Sequence, residues 1–278
     1  MASSPRSKTR DRYGPWALVT GASDGIGREF ARRIAKTGIN VALVARREDE
    51  LHLLAENLHA DMGVRTLVIA CDLSRSDAVE KILSQTQPLD VGLVVAAAGY
   101  GSSGAFLGSD PAEELGMIDV NCRSVVELTR GMAPRLARRG RGGLILMSSL
   151  LAFQGVPRSA NYAATKAFVQ TFAEGIASEL KTAGIDVVAC APGPIASGFA
   201  RRADMRMSLS QGPEAVAGET LRKLGRRLTV RPGLLSKFLE WSLAPLPRRG
   251  RTRIMGIIMA GMTKHRNDTA FDQNTQPA

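Results

Sequence analysis

Tyr162 and Lys166 stand four residues apart, so a helix brings them to one side, about one turn from each other. A free phenol has a pKa near 10 and is a poor base at neutral pH. A neighbouring ammonium favours the phenolate and lowers that pKa. Such a tyrosine can give a proton to a carbonyl oxygen or take one from an alcohol, which is general acid–base chemistry. Ser149 precedes Tyr162 by thirteen residues, at the end of an apolar run. Its hydroxyl can bond and orient the reacting oxygen, and strand alternation turns Ser148 to the opposite face. Taken alone, the Tyr–Lys pair would describe any solvated helix.

A second set of residues suits a phosphate-bearing ligand. Thr20-Gly21-Ala22-Ser23-Asp24-Gly25-Ile26-Gly27 follows a β-rich run and opens a helical pattern. Glycines at 21, 25 and 27 allow a tight turn, close approach of a pyrophosphate and close helix packing. The helix start adds free N–H groups and partial positive charge. The three histidines, His52, His59 and His265, fit no catalytic or metal spacing, and no Cys/His cluster suggests a metal.

The elements that must position these residues are legible in the hydrophobic pattern. Short apolar runs at Ala17–Thr20, Asn40–Ala45, Arg65–Cys71, Gly92–Ala97, Gly143–Met147 and Asp186–Cys190 alternate with helical stretches. Several runs are apolar on both alternations, as in strands covered on both faces. Ile26, Phe30 and Ile34, then Leu51, Leu54 and Leu58, form apolar helical stripes. The expected fold is α/β, a Rossmann-type doubly wound parallel sheet in a single domain with a helical C-terminal extension. Its core spans residues 13–200, and residues 201–266 form a substrate loop and basic helical region. Residues 1–12 and 267–278 are polar and are expected to be disordered.

Glu214–Leu224 and Leu234–Leu243 read as helices, and Pro194–Pro213 as a loop or short helices. Hydrophobic and charged contents of 44% and 23% suit a globular chain. The net charge of +11 sits entirely between Phe199 and Arg266, where fifteen Lys/Arg face four Asp/Glu. That excess lies outside the chemical motifs and lacks interleaved aromatics, which argues against nucleic acid as a partner. Cys71, Cys122 and Cys190 read as buried free thiols of a reducing compartment, so a cytoplasmic location is expected. Met1–Arg12 has no apolar core and does not read as a secretory signal. The nine-residue apolar stretch Ile254–Met262 is about half a membrane span. Basic clusters alternate with apolar runs from Leu221 to Lys264. That pattern fits either peripheral contact with an anionic membrane or helices that only cover the substrate cleft.

These motifs, in this order, resemble the short-chain dehydrogenase/reductase family. The glycine trio has its Gly-x-x-x-Gly-x-Gly spacing. Cys71-Asp72-Leu73, Ala98-Gly99, Asn121, Ser148-Ser149, Tyr162-Ala163-Ala164-Thr165-Lys166 and Pro192-Gly193 follow in sequence. The likeness covers about residues 13–200. Tyr13-Gly14-x-Trp16-Ala17, Ala164-Thr165-Lys166-Ala167-Phe168 and Glu179-Leu180-Lys181 look most like the branch of hydroxysteroid dehydrogenases and very-long-chain 3-oxoacyl-CoA reductases. Two departures stand out. Ala96-Ala97-Ala98-Gly99 replaces the family's Asn-Asn-Ala-Gly, so backbone groups that an asparagine would tie must be satisfied otherwise. No Asp-Gly-Gly end marks a seventh strand.

The resemblance implies a set of roles. Asn121, Ser149, Tyr162 and Lys166 are the catalytic residues. Tyr162 is the acid/base, Lys166 also holds the nicotinamide ribose, and Asn121 lends its backbone carbonyl to a water-linked proton relay. Cofactor contacts fall to Gly21, Ser23, Asp24, Gly25, Ile26 and Gly27, then to Asp72 and Leu73 at the adenine, and to Ala98, Gly99, Pro192, Gly193 and Ile195. NAD-preferring relatives carry an acid near the end of the second strand. Here the segment is Val44-Ala45-Arg46-Arg47, which suits the 2′-phosphate of NADP(H), with Arg46 as the contact and Arg47 toward solvent. The expected activity is hydride transfer between NADP(H) and an apolar ketone or secondary alcohol, under a loop carrying Phe199, Met205, Met207 and Leu209. A non-catalytic NADPH-binding scaffold is the alternative. A homo-oligomer is expected, through stripes at Val125, Leu128 and Met132 and at Phe168, Phe172 and Ile176.

Overall fold

Runs of Val, Leu, Ile and Ala with no polar face can only be buried between two layers, and the chain builds that arrangement. The computed structural model describes residues 5–195, 198–204, 211–233, 236–237, 242 and 245–263. Seven parallel strands, β1 (Trp16–Thr20), β2 (Asn40–Ala45), β3 (Thr66–Ala70), β4 (Val91–Ala96), β5 (Gly142–Met147), β6 (Ile185–Cys190) and β7 (Thr229–Val230), form one sheet in the order β3-β2-β1-β4-β5-β6-β7. The order reverses between β1 and β4, and the crevice beyond the strands' carboxyl ends at that point is where doubly wound sheets bind ligands.

Helices cover both faces. Phe30 and Ile34 of α2 (Gly25–Ala35), Leu51, Leu54 and Leu58 of α3 (Glu48–Met62) and Val216 of α9 (Pro213–Lys223) pack on one side. Ile82 of α4 (Ala78–Gln85), Val125, Leu128 and Met132 of α6 (Ser124–Arg139) and Val169 and Ala173 of α7 (Ala160–Lys181) pack on the other. The stripe on α6 is thus taken up by the sheet rather than left for a second subunit. On α7, Phe168 is exposed and stacks on Phe172, while Phe172 and Ile176 lean on the core.

Residues 5–12 differ from the disordered start expected of them. They belong to α1 (Pro5–Tyr13), whose last turn is fastened to β6. Arg12 Nε and the Tyr13 hydroxyl both donate to Asp186 Oδ2, at 2.5 and 2.6 Å. This tether joins residues far apart in the chain, so local composition gives no sign of it. Asn121 lies in one continuous helical run, in which a π-helical turn, Asp119–Arg123, joins α5 (Pro111–Ile118) to α6.

A seventh strand does exist, but only two residues long, pairing with Ala189 and Cys190 of β6. The C-terminal region adds α8 (Gly198–Arg202), α9 and α10 (Arg248–Met262). The helix expected over Leu234–Leu243 falls mostly outside the described residues, as do Met205, Met207, Leu209 and the 267–278 tail.

Candidate active site

β5 ends at Met147 and delivers two serines to opposite sides. Ser148 Oγ donates to the Lys166 carbonyl at 3.0 Å, facing α7. Ser149 opens a short 3₁₀ turn, Leu150–Phe153, and its Oγ accepts from Leu151 N–H at 3.2 Å. Tyr162 sits in the first turn of α7 and is buried against Tyr100, Met117 and Phe199, the Phe199 ring centroid lying 5.2 Å from its own. Lys166, one turn on, donates from Nζ to the Met147 carbonyl at 2.9 Å, and Nζ lies 5.7 Å from the Tyr162 ring centroid.

Burial governs the electrostatics of this pair. It pushes the Tyr162 phenol up to about 12, with a hydrogen bond from Ser149 pulling the other way. It brings the Lys166 ammonium down to about 8. The sequence reading expected the ammonium to lower the phenol. In the protein by itself Lys166 faces the end of β5, and desolvation is the larger effect.

Asn121 is fully buried at the π-helical turn. Its Oδ1 accepts from Tyr100 N–H at 3.1 Å, and its Nδ2 donates to the Tyr100 carbonyl at 2.9 Å and to Thr165 Oγ1 at 3.0 Å. The side chain therefore clips the segment after β4 to α7. A π turn interrupts the regular carbonyl ladder, and such turns are frequent at functional sites. Gly99 lies between these groups, because a Cβ there would stand 3.0 Å from Asn121 Oδ1 and 3.1 Å from Lys166 Nζ.

The glycine loop fits a dinucleotide. Gly21 has φ +69°, and a Cβ on it would meet the Ala98 backbone at 2.9 Å. A Cβ on Gly27 would collide with the Gly21 carbonyl, so α2 can start only where it does if that residue is glycine. Asp24 caps α2 by accepting from Gly25 N–H at 2.7 Å. The alanines that replace the family asparagines are compensated in part by Thr20, whose Oγ1 accepts from Ala98 N–H at 3.0 Å. Arg46 lies 3.9 Å from Asp72. Arg47 is exposed, as expected, and its Nη2 also donates to Ser23 Oγ at 3.1 Å and to the Ser23 carbonyl at 3.3 Å, over the loop. Asp72 Oδ1 accepts from Ser74 N–H and hydroxyl, which hold its carboxyl below the usual range despite some burial.

Most of these groups line one cleft of about 1260 Å³. Gly21, Ser23, Asp24, Gly25, Ile26, Gly27, Arg46, Asp72, Leu73, Ala98 and Gly99 lie along its dinucleotide end. Ser149, Tyr162, Lys166, Pro192, Gly193 and Ile195 line its middle. Asn121 stands behind the wall, reaching it through Tyr100 and Thr165. Arg202, Arg231, Arg251 and the methionines of α10 complete the wall, so the basic helices do cover the cleft, one of the two expectations, with residues not singled out as site residues from the sequence. The spacing of Arg251, Met255 and Met259 on one helical face was the signal on α10. Among the described residues, no helix is long and apolar enough to cross a membrane.

A family model described as "short chain dehydrogenase" matches residues 15–207. A 7beta-hydroxysteroid dehydrogenase of Clostridium sardiniense is 32% identical over 232 residues, covering 82% of this chain and 89% of that one. A very-long-chain 3-oxoacyl-CoA reductase of Podospora anserina is 35% identical over 192 residues, 67% of this chain and 56% of its relative. Among solved structures, a short-chain dehydrogenase from Sphingobium yanoikuyae in complex with NADPH superposes with a TM-score of 0.77 at 26% identity, covering 95% of this chain and 99% of that one.

Proposed function

The chain belongs to the short-chain dehydrogenase family, and we propose that within it the protein is an NADP(H)-dependent reductase of an apolar ketone. It is an oxidoreductase acting on an alcohol or a ketone. The observation that carries it is the buried phenol of Tyr162 beside Ser149, which burial holds protonated well above neutral pH. A protonated phenol can give its proton to a carbonyl oxygen, the step that reduction requires.

When bound beside Tyr162 and Lys166, NADPH would supply a hydride for a carbonyl. Ser149 donates a hydrogen bond to the carbonyl oxygen and fixes its direction. Tyr162 gives its proton to the same oxygen as charge develops there. Lys166, with its ammonium brought down to about 8, is the stronger acid of the two and can return a proton toward Tyr162. Asn121 positions this set by clipping Tyr100 to Thr165, one residue from Lys166. Arg46 and Arg47 would hold the 2′-phosphate, since guanidinium forks suit phosphate oxygens and no acid stands at the end of β2 to repel it.

The apolar wall of Leu150, Leu151, Phe199, Met255 and Met259 supports an apolar substrate. The same wall favours α10 as a cover of the cleft over α10 as a membrane contact, because Met255 and Met259 pack inward. Exposed Leu115 and Ile118 on α5 and exposed Phe168 on α7 support a homo-oligomer. Three free cysteines suit a cytoplasmic location. The test is NADPH oxidation against ketones of increasing apolar length. Turnover is expected, and Tyr162→Phe is expected to abolish it while NADPH binding persists. Turnover by Tyr162→Phe near that of the unaltered protein would remove the proton donor from this scheme.

A further inference from the structure

Residues 192–195 follow β6 and line the middle of the cleft beside Ser149, Tyr162 and Lys166. Their backbone is held from two directions. The Pro192 carbonyl accepts from Leu150 N–H at 2.9 Å, one residue from Ser149. Gly193 N–H donates to Ser236 Oγ at 2.9 Å, and the Pro194 carbonyl accepts from Gln211 N–H at 3.0 Å. A Cβ on Gly193 would stand 2.8 Å from Ser236 Oγ, so the hydroxyl occupies the space that a side chain there would need. Ser236 is fully buried and does not itself line the cleft.

The turn that carries Ser236 is fixed in its place by α9. Glu219 of that helix is buried and collects three donors. Its Oε1 accepts from Lys223 Nζ at 2.7 Å and from Lys237 Nζ at 3.0 Å, and its Oε2 accepts from Gly233 N–H at 3.0 Å. Burial by itself would raise this carboxyl, but the three donors outweigh it and bring it down to about 2. Gly233 and Lys237 bracket Ser236 in the chain, and Lys237 N–H donates to the Gly233 carbonyl at 3.3 Å. One carboxylate thus anchors both ends of the turn through charge-assisted hydrogen bonds. Glu219, Ser236 and Lys237 all lie beyond residue 200, past the motifs that carry the proton-transfer set.

We propose that Ser236 is a positioning residue for hydride transfer: through Gly193 N–H it fixes the wall against which the nicotinamide would rest, and Glu219 holds it there. This rests on the ketone-reductase reading of the cleft. Pro192 stays tied to Leu150, so releasing Gly193 lets that wall shift relative to Ser149, which orients the carbonyl. Reaction depends steeply on such placement, and a displacement of about 1 Å can cost about a hundredfold. Affinity depends on it less, because the phosphates are gripped at the glycine loop.

The experiment uses the full-length protein as Ser236→Ala, Ser236→Thr and Lys237→Met. Stopped-flow absorbance of NADPH in a single turnover reads hydride transfer to a ketone that the unaltered protein reduces. Fluorescence titration reads NADPH affinity and the emission of the bound reduced ring, which responds to how firmly that ring is held. Ser236→Ala, measured below its melting temperature, should slow transfer by about 10–100-fold and alter the emission, with affinity little changed. Ser236→Thr keeps the hydroxyl and should recover most of the rate. Lys237→Met, at a half-exposed position, should also slow transfer by loosening the clasp. A serine with only a structural role would lower the melting temperature and leave transfer in the folded variant unchanged, and that result overturns the proposal. An affinity that falls as far as the rate overturns it too. Should the buried variants fail to fold, Lys237→Met decides, and an unchanged rate there overturns the proposal. If the unaltered protein reduces no ketone, the reductase reading fails and the emission decides by itself. The same bound emission in Ser236→Ala as in the unaltered protein then overturns the positioning role.

Discussion

Asn121→Ala should lower both the melting temperature and the turnover of this protein, although its side chain does not line the cleft. The Asn121 amide makes three hydrogen bonds in a fully buried position. Truncation leaves the backbone N–H and carbonyl of Tyr100, itself buried, without those partners. Each such loss costs about 1–3 kcal/mol, so the pair costs about 2–6 kcal/mol. The third bond counts for less, because Thr165 Oγ1 keeps its own donation to the Tyr162 carbonyl at 2.8 Å. At about 2 °C per kcal/mol for a chain of this size, the melting temperature should fall by roughly 4–12 °C. Turnover should fall by roughly tenfold or more even where the variant is fully folded, because Tyr100, Thr165 and Lys166 lose their common clip and reacting groups tolerate little displacement. Scanning calorimetry reads the first effect, and NADPH oxidation well below both melting points reads the second. A variant that melts with the unaltered protein would refute the burial argument. One that melts early but keeps full turnover would refute the positioning role.

Arg46→Asp should weaken NADP(H) binding by about 10–100-fold while leaving NAD(H) nearly unchanged, since a charge-assisted contact is replaced by repulsion. Fluorescence titration with both cofactors checks this, and equal affinity of the unaltered protein for the two would refute it. Lys166 makes stability depend on alkaline pH. Its folded pKa near 8 lies below the ordinary 10.5, so the unfolded chain binds more protons between those values and stability rises with pH across that window. Tyr162, near 12 against 10, acts oppositely and lowers stability only above pH 10. Lys166→Met should therefore flatten the rise in urea midpoint between pH 8 and pH 10, and an unchanged slope would refute the assignment. Light scattering should find a homo-oligomer that Phe168→Glu dissociates, because Phe168 is exposed on α7; a monomer in the unaltered protein would exclude that surface.

What could be read without coordinates was what repeats locally. The period of Ile26, Phe30 and Ile34 marks α2, and two-sided apolar runs mark the buried strands, because burial on one or two faces imposes those periods. Gly21, Gly25 and Gly27 announce the phosphate loop: Gly21 and Gly27 have no room for a Cβ against the Ala98 backbone and the Gly21 carbonyl, and Gly25 has a positive φ of 51°. Tyr162 and Lys166 share a helix face by spacing alone, and alternation separates Ser149 from Ser148, whose hydroxyl turns to the Lys166 carbonyl.

Everything that joins distant segments was decided only by the tertiary structure. Asp186 anchors a start that looked unstructured, Thr20 does part of the work of an absent asparagine, and Arg47 turns back onto Ser23. Val125, Leu128 and Met132 present the same stripe whether they meet a sheet or a second subunit, and the packing on the sheet chose the first. The methionines of α10 likewise suited a bilayer or a cleft until their neighbours, Val156 and Ala163, were in place. A helical period states that a face is apolar. What covers that face, and which charges are carried with it, depends on contacts between residues far apart in sequence, and those exist only once the chain has closed on itself.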